Sequence, residues 1–137
     1  MWMKKLTCVV ASLLAFALSA CGEAEIIVPE TLRVVSTQPS NGAMNILPTE
    51  PVTIVFSAPI NHEEVTGDFF AIKEPSGVGI TTHYSDDNKT VTIKPSSSFK
   101  EDTMYIILIK ADISSSEENI KPLPAPVEFR FRTAKLN

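Results

Sequence analysis

Residues 127–133 read Val-Glu-Phe-Arg-Phe-Arg-Thr, so apolar and polar side chains alternate along the whole stretch. Successive side chains of a β-strand point to opposite faces of the sheet. The alternation therefore predicts a strand that buries its apolar face and exposes its charged face. Residues 90–94 show the same period, and residues 52–56 show it less cleanly, because Val55 interrupts the polar face.

Turn-forming residues separate such runs at short intervals along the chain. Examples are Pro-Ser-Asn-Gly at 39–42, Pro-Ser-Gly at 75–77 and Asp-Asp-Asn at 86–88. The best helical window is a single short one at residues 61–64, with Asn61 as its cap. About seven short strands in one domain are typical of an all-β, immunoglobulin-like antiparallel sandwich. The predicted strands are residues 32–37, 51–57, 68–73, 78–84, 89–94, 103–110 and 126–133.

Two inward-facing rows of apolar residues form the predicted core. Residues 105–109 are apolar on both faces, which is typical of a central strand, and Tyr105 opens it. We expect the Tyr105 hydroxyl to bond to the backbone a few residues upstream, as in a tyrosine corner. The predicted core residues are Val52, Ile54, Phe56, Phe70, Ile72, Val91, Ile93, Ile107, Ile109, Phe129 and Phe131.

Five short motifs follow one another along this predicted sandwich. They are Pro-Ser-Asn-Gly-Ala at 39–43, Phe-Ser-Ala-Pro at 56–59, Thr-Val-Thr-Ile-Lys-Pro at 90–95, Asp-Thr-Met-Tyr at 102–105 and Phe-Arg-Phe-Arg-Thr at 129–133. In this order they resemble the bacterial Ig-like domain of S-layer type, the SbsA-like or Big_5 family. The resemblance covers about residues 33–133. It implies an extracytoplasmic spacer, adhesion or assembly module with no catalytic centre of its own.

The amino terminus has the pattern of a signal peptide. Lys4 and Lys5 precede an apolar run at residues 6–18. As a helix this run would be about 20 Å long, which is shorter than the roughly 30 Å hydrocarbon core of a bilayer. We therefore expect a cleaved signal and not a permanent membrane span.

The apolar run ends in Leu18-Ser19-Ala20-Cys21, which resembles the lipobox of bacterial lipoprotein precursors. The resemblance implies that Cys21 becomes the first mature residue and is acylated, so that the protein is held to a membrane through this residue. Gly22 follows, where an aspartate would commonly retain a lipoprotein in the inner membrane, and this favours the outer membrane. The predicted parts are a signal peptide (1–20), a lipidated cysteine with a flexible tether (21–31) and an Ig-like domain (32–137).

Cleavage changes the composition that matters for function. Removing Lys4 and Lys5 lowers the formal net charge from −4 to −6, which disfavours nucleic acid as a partner. Cys8 is also removed, so Cys21 would be the sole cysteine and no intramolecular disulfide could form. The expected partner, besides the membrane, is another envelope protein or a surface polymer.

The sequence lacks the common motifs of catalytic sites and therefore gives little support to an enzyme. The sequence has no Gly-x-Ser-x-Gly elbow, no His-Glu-x-x-His and no phosphate-binding loop. We expect neither an enzyme nor a cofactor. The alternative function is a periplasmic copper carrier, because the Pro-x-x-Gly-Ala and Phe-Ser-x-Pro motifs also resemble the CopC type. The weak candidate ligands are His62 and His83, and two ligands make a poor site for zinc or copper.

One aromatic residue, Phe69, is a candidate for partner contact. Phe69 neighbours Phe70, and alternation turns one of the two away from the core. Phe69 is either buried under the 61–66 turn or exposed as a small contact site for another protein or a glycan.

Overall fold

The computed structural model describes residues 26–137, and these form ten β-strands and one short 3-10 turn, Gly67–Phe69. No helix within this range has the length and apolar content needed to cross a membrane. The strands are β1 (Glu30–Thr31), β2 (Val34–Gln38), β3 (Ala43–Ile46), β4 (Val52–Phe56), β5 (Phe70–Glu74), β6 (Ile80–Tyr84), β7 (Thr90–Pro95), β8 (Met104–Ile109), β9 (Ile120–Lys121) and β10 (Val127–Thr133).

Eight of these strands form two four-stranded sheets that pack face to face. One sheet has the order β2-β4-β7-β6, and the other has the order β3-β10-β8-β5. The side chains between the sheets form one apolar core. This is the predicted all-β, immunoglobulin-like sandwich. Each of the seven predicted stretches overlaps one strand, with ends that differ from the prediction by at most two residues.

Every residue of the predicted core is buried. Alternation is preserved because the strands that carry these residues have one face against the opposite sheet. Eight further buried residues lie outside the predicted core: Leu32, Ala58, Ile60, Val65, Phe99, Tyr105, Ile113 and Leu123. Tyr105 belongs to the same alternating row as Ile107 and Ile109, whereas the other seven lie between strands, where alternation does not predict them.

An aromatic cluster closes one end of the core. The ring of Phe99 lies 4.6 Å from that of Tyr105 and 5.4 Å from that of Phe131, measured between centroids. The Tyr105 hydroxyl accepts a hydrogen bond from the Lys100 N–H at 2.8 Å. The expected bond from this tyrosine to the upstream backbone is therefore present.

Thr133 completes the same end of the core. It is 2% exposed and is the one buried polar residue in the described part of the chain. Its hydroxyl accepts from the Thr103 N–H at 3.0 Å and donates to the Lys100 carbonyl at 2.5 Å. Tyr105 and Thr133 thus hold the loop at residues 100–103 from its two sides.

Three strands, β1, β3 and β9, have no counterpart among the predicted ones. β3 pairs with β10, and β1 pairs with β9, and both pairs are parallel. The sandwich is therefore antiparallel except where the amino-terminal strands meet carboxy-terminal partners. Both parallel pairs join residues that are far apart in sequence, so nothing in the local pattern marks them.

Residues 61–65 form one turn and not a regular helix. The carbonyl of Asn61 accepts from the N–H groups of Glu64 and Val65, at 3.1 and 2.8 Å. The predicted short helix is thus reduced to this turn. The turn leads through buried Val65 to the 3-10 turn that starts β5.

Candidate functional site

The chain enters the sandwich at one end, which we call the tether end. β1 pairs there with β9, and the Leu32 N–H donates to the Lys121 carbonyl at 2.9 Å. Just before β1, Ile26 is 89% exposed, and Ile27 and Val28 are also exposed. The predicted lipobox residues Leu18, Ser19, Ala20 and Cys21 lie outside the described residues.

A shallow, mostly apolar groove of about 560 Å³ lies at the tether end. Residues 30–34 line one side, and residues 123–127 line the other. Two prolines, Pro124 and Pro126, contribute to its wall, and the groove offers few polar groups that could orient a small molecule. It therefore lacks the convergent polar groups typical of a catalytic pocket.

Four exposed apolar side chains lie at the opposite end, which we call the far end. β10 runs from Val127 at the groove to Thr133, about 20 Å away at the rise of an extended strand. The Ala134 N–H donates to the Ile46 carbonyl at 2.7 Å, and Met104 lies opposite Arg132. The far-end residues, each between 42% and 55% exposed, are Met44, Leu47, Met104 and Leu136.

Two ion pairs lie on the outer face of the β3-β10-β8-β5 sheet. Lys73 Nζ is 2.7 Å from Glu128 Oε1, and Arg132 Nη2 is 2.9 Å from Asp102 Oδ1. The hydrogen bond and charge of Glu128 raise the pKa of Lys73. Since all four side chains are about half exposed, water and salt screen these pairs, and each contributes little to stability.

The two histidines lie on separate elements and are both exposed. His62 belongs to the 61–65 turn, and its ring lies 6.1 Å from that of Tyr84. His83 is on the outward face of β6. Within residues 26–137, no three His, Cys, Asp or Glu side chains are grouped so that they could hold a metal ion.

Phe69 is half-buried and packs against the core beside Phe70, which is fully buried. The Lys110 N–H donates to the Phe69 carbonyl at 2.9 Å, so the backbone there is held to the end of β8. Part of the ring remains accessible. The far-end residues expose more apolar surface, and sequence reasoning did not single them out because they come from separate stretches of the chain.

The family model of the bacterial Ig-like domain, Big_5, matches residues 29–133. The chain belongs to this family. The match spans both four-stranded sheets, from the residue before β1 to the last residue of β10. A member of the bacterial Ig-like family is a structural or binding module.

Solved structures share the fold of this Ig-like domain. An L,D-transpeptidase from Mycobacterium smegmatis superposes on 75% of the chain at 14% identity, with a TM-score of 0.53. The chain spans only 40% of that transpeptidase. The amino-terminal part of the bacterial S-layer protein SbsC matches 93% of the chain at 14% identity and a TM-score of 0.54, and 29% of that structure is covered.

PcoC, a copper resistance protein from Escherichia coli, matches 75% of the chain and is itself covered over 99% of its length. The identity is 16% and the TM-score is 0.51. Likenesses at such low identity concern the fold alone. A comparison with curated proteins finds no match.

Proposed function

We propose that this protein is a non-catalytic, lipid-anchored protein of the bacterial envelope whose Ig-like domain acts as a binding, adhesion or structural module. The protein is attached through lipidated Cys21 to the outer membrane. The observation that carries the proposal is the arrangement of the two ends. The tether reaches the domain at one end, and the far-end apolar residues lie on the opposite one, where a membrane-held domain would meet a partner.

The anchor is tested by following the membrane attachment of two cysteine variants. Cys21→Ser removes the thiol that the lipobox presents, and Cys8→Ser is the matched control, because that residue leaves with the signal peptide. We expect lipid labelling with a radioactive fatty acid to disappear only in Cys21→Ser, together with the membrane-bound fraction. Equal labelling of both variants would refute the anchor.

The location is tested by protease treatment of intact cells that express the full chain with a carboxy-terminal tag. A periplasmic protein reports leakage, and density-gradient fractions separate the two membranes. The proposal predicts that the tag sediments with the outer membrane. Loss of the tag in intact cells places the domain on the surface, whereas protection until lysis places it in the periplasm. Recovery with the inner membrane would contradict the proposed location.

The partner, another envelope protein or a surface polymer, is sought by placing a photo-crosslinking residue at one end of the domain or the other. Met104 is the position at the far end, and Ile27 is the control at the tether end. If the far end carries the contact, a discrete adduct forms from position 104 and not from position 27. Adducts from position 27 alone would show that the contact lies at the tether end.

A copper carrier is the alternative, since the fold is shared with PcoC. The test is a titration of the purified protein with Cu(I) and with Cu(II), repeated for His62→Ala and His83→Ala. Micromolar or tighter copper binding that is lost on His62→Ala or on His83→Ala would favour the carrier. Weak binding that neither substitution changes would leave the module as the function.

A further inference from the structure

Three of the four sheet edges are interrupted in ways that hinder pairing with another strand. The pairings of β2 and β5 with their neighbours each contain a register shift, and β5 also ends in Lys73 and Glu74. β3 is a four-residue strand with a register shift, and its Asn45 has a φ of 59°. Bulges, charged residues and short strands are the usual means by which proteins protect an edge.

The fourth edge, β6, has none of these features. It reads Ile-Thr-Thr-His-Tyr and pairs with β7 in one unbroken register, from Ile80 opposite Pro95 to Tyr84 opposite Val91. It contains no Lys, Arg, Asp, Glu or Pro. β6 is therefore a regular edge of five residues. Its inner side contacts the segment before β5, because the Tyr84 hydroxyl donates to the Val65 carbonyl at 2.7 Å and Gly67 packs against the Thr82 side chain.

The hydrogen-bond pattern identifies the groups that this edge leaves free. The Ser96 N–H donates to the Gly79 carbonyl, and the Ser85 N–H donates to the Thr90 carbonyl. Antiparallel pairs alternate between bonded and non-bonded residues, so positions 79, 81, 83 and 85 face β7. The N–H and C=O groups of Ile80, Thr82 and Tyr84 face outward, and no backbone partner for them is found within residues 26–137.

We propose that β6 pairs with β6 of a second copy of this chain, antiparallel and centred on Thr82. In this register Ile80 lies opposite Tyr84 of the other copy, and Thr82 lies opposite its own equivalent. These three pairs use the three residues whose backbone groups are free, and they form six hydrogen bonds. The result is a two-fold dimer in which the β2-β4-β7-β6 sheet continues as eight strands.

The side chains are compatible with this register. On the inner face, Ile80 lies opposite Tyr84 of the other copy and Thr82 lies opposite its own equivalent, which are favourable cross-strand pairs. Tyr84 keeps its hydrogen bond to the Val65 carbonyl of its own chain, and Thr82 keeps its contact with Gly67, so only the outer edges of these side chains meet the other copy. On the outer face, Thr81 lies opposite His83 of the other copy. No like charges oppose each other along the strand.

The contact is small, because each copy contributes one strand. A stable interface in dilute solution usually buries about 1,200–2,000 Å². We therefore expect a dimer that dissociates on dilution, and the test has to trap it. Thr81 and His83 suit this purpose because both are exposed, so cysteines there leave the core unchanged.

The experiment uses the full chain in two differently tagged versions, expressed together. One version carries Thr81→Cys and the other carries His83→Cys, and the cells are treated with a mild oxidant. In the proposed register, residue 81 of one copy lies opposite residue 83 of the other, as a pair without backbone hydrogen bonds between them. Such a pair has Cα atoms about 4.5 Å apart, within the range of a disulfide. In a dimer of one variant alone, the two cysteines are both at position 81 or both at position 83. These residues lie diagonally across the strand pair, with Cα atoms about 7–8 Å apart, which is beyond the usual range for a disulfide.

We expect several-fold more covalent dimer from the mixed pair than from either variant alone. The unsubstituted chain, which retains Cys8 and Cys21, gives the background. Adding Thr82→Pro to both versions should abolish the dimer. It removes an N–H that faces outward and so costs no bond to β7.

Two results would overturn the proposal. The first is a yield from the mixed pair that does not exceed the yields of the single variants. The second is a link from position 81 to a protein of a different mass, which would show that a foreign strand occupies the edge. A circular dichroism melt checks whether the proline variant folds. If it does not fold, the proposal is judged from the yield of covalent dimer in the mixed cysteine pair compared with the single cysteine variants.

Discussion

Replacing Thr133 by valine isolates the contribution of one buried hydroxyl. Valine keeps the shape and the β-branching, so no cavity forms. The hydroxyl accepts from the Thr103 N–H and donates to the Lys100 carbonyl, and both partners lose a bond. The Thr103 carbonyl remains bonded, because the Thr133 backbone N–H donates to it at 3.0 Å.

The expected loss of unfolding free energy is about 2 kcal/mol, since each partner left unbonded costs about 1 kcal/mol when it is only partly buried. In a domain of this size that loss lowers the melting temperature by about 10 °C. The measurement is urea denaturation followed by far-ultraviolet circular dichroism, for Thr133→Val beside two controls.

Thr133→Ser keeps the hydroxyl and loses one methyl group, which should cost about 1 kcal/mol. Thr103→Val removes a hydroxyl that donates to the Glu101 carbonyl at the surface, and should cost less than about 0.5 kcal/mol. If Thr133→Val is no less stable than Thr103→Val, the hydroxyl does not hold the loop and the reasoning is wrong.

Three further predictions concern other parts of the domain. Tyr105→Phe removes the acceptor of the Lys100 N–H and should lower the unfolding free energy by about 1 kcal/mol in denaturation; an unchanged value would contradict the tyrosine corner. Phe56→Ala opens a cavity at a residue that is 1% exposed and should cost about 3–5 kcal/mol by the same assay, whereas a loss below about 1 kcal/mol would mean that the sheets close over the gap. Hydrogen bonds from the Ser85 hydroxyl and the Lys89 N–H lower the pKa of Asp87, so its stabilising effect is present above its unfolded-state pKa and is lost as the pH falls through its folded one. Ser85→Ala should raise the Asp87 pKa, as measured by an NMR titration. An unchanged Asp87 titration curve would show that the Ser85 hydroxyl does not lower this pKa.

Alternation along the chain was sufficient to predict most of the core that the strands carry, but not the buried residues between the strands, such as Ile60 and Ile113. A strand with one face against another sheet must place apolar residues at every second position, so the pattern gives both the strand and its buried row. Phe129 and Phe131 are buried as expected, and Tyr105 bonds upstream as its motif predicts.

β3 could not be predicted in the same way. Ala43 and Ile46 both pack against the core although they are three positions apart, because Asn45 adopts a left-handed conformation and breaks the period of two. Its partner, β10, lies at the other end of the sequence. Long-range parallel pairing leaves no mark within a short window.

The surfaces were harder to predict than the core. Met44 and Met104 belong to strands on either side of β10, and only the folded sheet brings them to the same end of the domain. The free edge of β6 depends on which strand lacks a second neighbour, and the pattern of a strand does not contain that information. The half-burial of Phe69 likewise depends on the path of the preceding turn.

The position of β10 has a consequence for how the fold closes. This strand lies between β3 and β8, so the sheet that contains them is split until residues 127–133 are in place. Without β10, β3 has no partner in its sheet and β8 pairs with β5 alone. The β2-β4-β7-β6 sheet would then leave part of its apolar face uncovered. Stable folding of the sandwich therefore depends on one strand that joins the two halves of a sheet, and a chain cut before residue 127 should expose core residues that the whole domain buries.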